Sequence, residues 1–264
     1  MKISDKVWVV TGAGSGMGKE LAIQIVGKGG RAALVDIDRE ALLATAAALG
    51  EGRTSVHVMS VSDAEAAAAL PGAVMAAHGQ VDGLINNAGI IQPFVEVEEL
   101  PMSATERVMQ VNFWGTLYLT KAFLPILRQR PEAHIVNVSS MGGFIPFPGQ
   151  TLYGASKAAV KLLTEGLYAE LKESNVRVTV VHPGAVQTKI MANSGLGSPE
   201  PALGQESPGI SAAQAAREIL TGIERNRFRV LVGPDARMLD KLYRLAPRWA
   251  VGFITKQMAK LRPQ

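Results

Sequence analysis

The chain has 264 residues, 47% of them hydrophobic, and carries a formal charge of +4 from 27 Lys and Arg against 23 Asp and Glu. A chain of this size and apolar content can bury a large core, which argues against disorder and for a single domain over 1–264. Cysteine is absent, which excludes disulfides, thiolate metal sites and a cysteine nucleophile and fits a reducing compartment. His57, His78, His134 and His182 lack metal-ligand spacing, so no metal is expected.

Met1 to Lys6 leads into Val7-Trp-Val-Val10, an apolar stretch too short for the core of a signal peptide. No run approaches the roughly 18 apolar residues of a membrane helix, so a cytoplasmic protein is expected. Short runs rich in Val, Ile and Leu then recur. Strands are expected at Val7 to Thr11, Ala32 to Asp36, Ser55 to Met59, Leu84 to Asn86, His134 to Val138, Arg177 to Val181 and Arg229 to Val232. Between them, Gly18 to Lys28, Arg39 to Leu49, Ala64 to His78, Ala104 to Leu127, Gly154 to Ser174 and Ala212 to Arg225 have the length and period of helices. Parallel neighbours need crossover connections, so the alternation predicts an α/β fold: a doubly wound, seven-stranded parallel sheet with helices on both faces. The segment 189–211 is rich in Gly, Pro and Ser and lacks a period, which reads as a mobile substrate loop.

The first strand leads into Thr11-Gly-Ala-Gly-Ser-Gly-Met-Gly18 at the start of a helix. Glycines at Gly12, Gly16 and Gly18, with Ser15 and Met17, let the backbone approach a pyrophosphate beside the free N–H groups of the helix start. Asp36 ends the next strand, where its carboxylate can accept both ribose hydroxyls of an adenosine. Taken alone, the segment fits another adenine ligand such as S-adenosylmethionine, or packing. The charge of Asp36 repels a 2′-phosphate and neither Ser15 nor Ile37 is basic, so NAD is favoured over NADP; Arg39 lies near enough to weaken that preference.

A second cluster is Ile135-Val-Asn-Val-Ser-Ser140 followed by Tyr153-Gly-Ala-Ser-Lys157. On a helix Tyr153 and Lys157 stand at i and i+4 and share a face. With Asn86-Asn-Ala-Gly89, Asn112, the thirteen-residue spacing from Ser140 to Tyr153, His182-Pro-Gly184 and Thr188, these motifs occur in an order that resembles the short-chain dehydrogenase/reductase family, in its compact single-domain branch, over nearly the whole chain. The resemblance implies hydride transfer between the nicotinamide and a secondary alcohol or ketone. It makes Tyr153 the general acid/base, Ser140 a hydrogen-bond donor to the substrate oxygen, Lys157 a partner of phenolate and nicotinamide ribose, and Asn112 the holder of a proton-relay water. It further implies that Asn87, Ala88 and Gly89 brace the cofactor, that Pro183, Gly184 and Val186 pass beneath the nicotinamide and that Thr188 bonds its carboxamide. The family pattern has an Asp near the adenine where this chain has Ser60, which leaves adenine recognition to the backbone around Val61.

The apolar segments near Ile91, Gly142, Phe147 and Met191 should line the substrate pocket with Ser140 and Tyr153, favouring a lipid-like, aromatic or polycyclic substrate; packing of these segments on one another is the competing reading. From Arg217 onward 11 Lys and Arg face 4 Asp and Glu, a local +7 that leaves the rest of the chain at −3. Within this basic stretch, residues 235–261 place Met238, Leu242, Leu245, Trp249, Phe253 and Met258 near helical spacing, with Pro247 suited to start a second helix. Docking on the core or a subunit is favoured over contact with an anionic membrane, and no nucleic-acid motif is present. The resemblance implies a homodimer or homotetramer through the two long helices. Two other readings stay open: a noncatalytic dinucleotide-binding regulator or redox sensor of the same fold, and a methyltransferase, which has no need of the Ser, Tyr and Lys set.

Overall fold

In the computed structural model, which describes residues 1–197 and 209–259, the apolar runs become strands that pair side by side. These are β1 (Val7–Thr11), β2 (Arg31–Asp36), β3 (Thr54–Val58), β4 (Gly83–Asn86), β5 (Ala133–Val138), β6 (Val176–Pro183) and β7 (Arg229–Val232). They form one parallel sheet in the order β3-β2-β1-β4-β5-β6-β7. The order reverses between β1 and β4, and ligands of open parallel sheets bind at such a reversal, beyond the carboxyl ends of the strands.

Side chains alternate along β1: Trp8 and Val10 enter one core layer, Val7 and Val9 the other. The first layer is covered by α1 (Gly16–Gly27), α2 (Arg39–Leu49) and α8 (Ala212–Glu224), through Leu21, Ile25, Leu42, Ile219 and Ile223. The second lies under α3 (Ala64–His78), α5 (Gly115–Leu127) and α6 (Thr151–Glu170), through Leu70, Val74, Phe123, Leu127 and Leu167. Asp38, Asp63 and Ser211 cap α2, α3 and α8 by accepting backbone N–H bonds. The start of α1, which follows β1 at the reversal, has no side-chain cap.

Three expectations change. The helix predicted from Ala104 to Leu127 is α4 (Met102–Met109), a π-helical stretch Gln110–Trp114 and α5, and the wider turn falls at Asn112. Within 189–211 the described part holds α7 (Ile190–Asn193) and a two-residue strand, Ile210–Ser211, that pairs in parallel with Val186–Gln187; residues 198–208 lie outside the described residues. The basic tail forms α9 (Pro234–Leu245) and α10 (Pro247–Ala259), and 260–261 of the predicted segment are likewise outside. The tail docks on the molecule: Leu239, Ala250 and Ile254 are buried with Ile145, and Leu242, Phe253 and Met258 pack at the edge of that cluster. Met238, Leu245 and Trp249 face outward, so the apolar stripe read from the sequence is split between two helices. Among the described residues no helix is long and apolar enough to cross a membrane, and no cluster of metal-ligating side chains is present.

Candidate active site

The glycine turn owes its shape to crowding. Gly12 and Gly16 have φ of +69° and +51°, and a Cβ on Gly18 would lie 2.0 Å from the Gly12 carbonyl oxygen. Only glycine lets α1 start this close to the end of β1. Asp36 is fixed on the opposite side: one carboxylate oxygen accepts the Gly14 N–H at 2.9 Å, and the other accepts those of Ile37 and Asp38 at 2.8 and 3.2 Å. The Thr11 hydroxyl accepts the Asn87 and Ala88 N–H groups, both at 2.9 Å, and Asn87 Nδ2 donates to the Thr11 carbonyl at 2.9 Å. The ends of β1 and β4 are thereby locked together.

A cavity of about 320 Å³ opens above this turn. Gly12, Ser15, Gly16 and Met17 form its floor, Asp36 and Ile37 one end, and Ser60 and Val61 a wall; Asn87, Ala88, Gly89 and Thr188 close the other side. Each of these residues was expected from the sequence. Gly18 packs beneath the floor instead of lining it. Pro183 is buried at the end of β6, and Val186 pairs in the short strand. Gly184 packs against Asp235, whose carboxylate accepts the Ala185 N–H at 2.6 Å. None of these three lines the cavity. Ser60 and Ser62 hydroxyls bond each other at 2.8 Å, and Met59, Ser62, Ile90, Arg107, Val111, Lys189, Ile190 and Asn193 complete the lining. None of these eight was read from the sequence as a cofactor contact. Arg107 and Val111 stand four apart on one helical face, a signal a sequence can carry; the others arrive only by tertiary folding.

The predicted chemistry converges beside the turn. A Cβ placed on Gly142 would lie 3.4 Å from Ser140 Oγ and 3.5 Å from Tyr153 Cε1, so this glycine sits against both side chains. A Cβ on Gly89 would lie 3.0 Å from Lys157 Nζ and 3.2 Å from Asn112 Oδ1. Lys157 donates to the Val138 carbonyl at 3.0 Å, and its ammonium is 6.0 Å from the centroid of the Tyr153 ring. Burial pushes Lys157 down to about 8. Enclosure of the phenol raises the pKa of Tyr153, and its hydrogen bond with Ser140 opposes that rise without cancelling it. In the chain alone desolvation sets the direction; the pull toward phenolate expected from the sequence is that of Lys157 together with the oxidised nicotinamide.

Asn112 is fully buried and its amide is committed. Oδ1 accepts the Ile90 N–H at 2.9 Å, while Nδ2 donates to the Ile90 carbonyl at 3.0 Å and to Ser156 Oγ at 2.9 Å. Through these bonds it ties the segment after β4 to α6. Gln92 was not singled out from the sequence: buried after β4, its Oε1 accepts the Tyr153 N–H at 2.8 Å and its Nε2 donates to the Gly149 carbonyl at 3.1 Å. It caps the first turn of α6, whose own flanking residue, Gln150, provides no cap. No motif marks such a contact between distant segments.

On the substrate side, Ile91 donates its N–H to Ser194 Oγ at 3.0 Å, and Met191 lies partly exposed on α7. Phe147 turns away and packs against the tail cluster, which favours the competing packing reading for that residue.

Comparison with known proteins agrees with this geometry. The short chain dehydrogenase family matches residues 6–197, and the chain belongs to the short-chain dehydrogenase/reductase family. It is 36% identical to "Putative oxidoreductase SadH" of Mycobacterium tuberculosis, over 98% of this chain and 97% of that protein. A short-chain dehydrogenase/reductase from Burkholderia phymatum in complex with NAD superposes with a TM-score of 0.83 at 29% identity, covering 93% of this chain and 96% of the other. One from Burkholderia cenocepacia in complex with NADP gives 0.81 at 27% identity, covering 96% and 99%. The chain is thus an oxidoreductase by family, while its structural neighbours bind either nicotinamide cofactor.

Proposed function

We propose that the protein transfers hydride between NAD(H) and an apolar secondary alcohol or ketone, with Tyr153 as general acid/base. The observation that carries this reading is the approach of Ser140, Tyr153, Lys157 and Gly89 to one another beside a glycine turn and an oriented carboxylate.

The residues suit a dinucleotide. Gly12 and Gly18 allow the tight turn that sets α1 against the end of β1, the α1 start offers N–H groups to a pyrophosphate, and Asp36 is held in place to accept ribose hydroxyls. Bound nicotinamide supplies the hydride acceptor or donor. The chain supplies the proton chemistry. Ser140 donates a hydrogen bond to the substrate oxygen as charge develops there, and Tyr153 exchanges a proton with that oxygen. Lys157 lies close enough to stabilise the phenolate when Tyr153 gives up its proton. Asn112 and Gln92 hold the segment after β4 and the start of α6 in register with these groups. The preference for NAD rests on Asp36, whose charge opposes a 2′-phosphate; Arg107 at the cavity wall is the nearest counterargument.

The test follows NADH absorbance over a panel of secondary alcohols and ketones of graded size and polarity, repeated with NADP(H). The expected result is a higher kcat/KM for large apolar substrates and for NAD. Equal turnover with both cofactors refutes the NAD preference, better use of small polar alcohols refutes the substrate class, and no turnover leaves the regulatory or redox-sensing reading in its place.

A further inference from the structure

Ser140 lies just past the sheet. The last ladder bond runs from the Ser139 N–H to the Val181 carbonyl at 2.8 Å; beyond it the chain enters the 3-10 turn Met141–Gly143. The Ser140 hydroxyl accepts the Gly142 N–H of that turn at 3.0 Å, and where the pair points depends on what holds the Ser140 backbone. Its carbonyl accepts the Gly143 N–H at 3.0 Å, a bond within its own turn. A second bond comes from another strand: His182 Nδ1 lies 3.0 Å from the same oxygen. A carbonyl can only accept, so Nδ1 carries the proton.

His182 is fully buried on β6 among valines, where packing alone does not require an imidazole. Its Nε2 finds no partner among the described residues. The edge of the ring meets Phe144 at 5.4 Å and 74°. The Arg229 guanidinium lies over Phe144 at 5.5 Å and is itself held by Asp240 of α9 through two bonds of 2.9 and 2.7 Å. The imidazole is thus clamped, with one nitrogen committed and the other idle. Leaving a buried nitrogen unpaired costs stability, and a neutral ring presenting a bare lone pair there costs less than one presenting an N–H. Burial holds the group near pKa 4, so it stays neutral around pH 7.

We propose that His182 is a positioning residue whose Nδ1–H fixes the Ser140 backbone and so aims the Ser140 hydroxyl at the substrate oxygen. This rests on the hydride-transfer reading of the site. His182 touches no reacting atom in this account; it acts through Ser140.

The amide geometries of Asn and Gln separate the two nitrogens. Asn sets an N–H at the δ position, where the bond is made, and Gln sets one at the ε position, where no partner waits. With a substrate found in the panel above, His182→Gln is expected to lose about tenfold to a hundredfold in kcat with an unchanged Kd for NADH, and His182→Asn to recover most of that loss. Thermal melts check that both variants fold. A second readout needs no substrate: long-range nitrogen–proton correlation spectra of the wild type should show a neutral His182 protonated at Nδ1. An Nε2–H tautomer, or equal kcat in the two folded variants, overturns the role of His182 while leaving the oxidoreductase reading intact. Absence of turnover by the wild type overturns that reading and the role of Ser140 with it.

Discussion

Lys157 is an ammonium kept out of water with one carbonyl as its hydrogen-bond partner, and that environment has a thermodynamic signature. Its pKa falls from 10.5 to about 8 on folding, so between those values the unfolded chain binds more protons than the folded one. Stability contributed at this position therefore rises with pH over that window, and below it the full cost of the buried charge is present. In the absence of cofactor, Lys157→Met should be more stable than the wild type near pH 7, and the difference should shrink as pH climbs from about 8 to 10.5. Chemical denaturation across that range measures it; a constant difference contradicts the burial argument. The lysine, with Tyr153 and Ser140, was readable in advance because its spacing obeys helix geometry and the resemblance supplies the rest. Gln92 and Asp235 were not. Each acts by meeting a backbone N–H far away in sequence, and no local pattern records that meeting.

At the scale of elements, strands and helices followed from apolar runs and period, with ends shifted by a residue or a few. What the period did not carry was the distribution of the tail's apolar side chains. A second helix was expected from Pro247, where α10 starts, but not which side chains each helix buries: Leu239 and Ile254 turn inward while Leu245 and Trp249 turn out. The inward set covers the segment after Ser140 through Ile145, Phe144 and Phe147. Ile254→Ala should cost about 2–4 kcal/mol by opening a cavity there. Thermal or urea unfolding should show the loss, NADH titration should show no change in Kd, and substrate KM should rise. A variant as stable as the wild type would mean that α10 is not seated on this cluster. The π turn at Asn112 was also illegible, since Gln110 to Trp114 reads as ordinary helix.

For the molecule as a whole, the alternation of strands and helices was enough to predict the class of fold, and the glycine turn after the first strand indicated where the ligand site should lie. The position of β1 beside both β2 and β4 then brings segments from the ends of β4, β5 and β6 to the same mouth. That topology joins a turn at 11–18, a bracing segment at 86–89 and a helix beginning at 151. It also seats α9 and α10 against the cluster around Ile145, with Arg237, Lys241, Arg244, Arg248 and Lys256 exposed. The central claim is that Tyr153 moves the proton while the glycine turn holds the cofactor. Steady-state turnover and NADH titration of Tyr153→Phe test it most directly, because the substitution removes one hydroxyl and little else. The account predicts a fall in kcat of about a hundredfold or more with NADH affinity nearly unchanged; a variant that keeps most of its activity would contradict it.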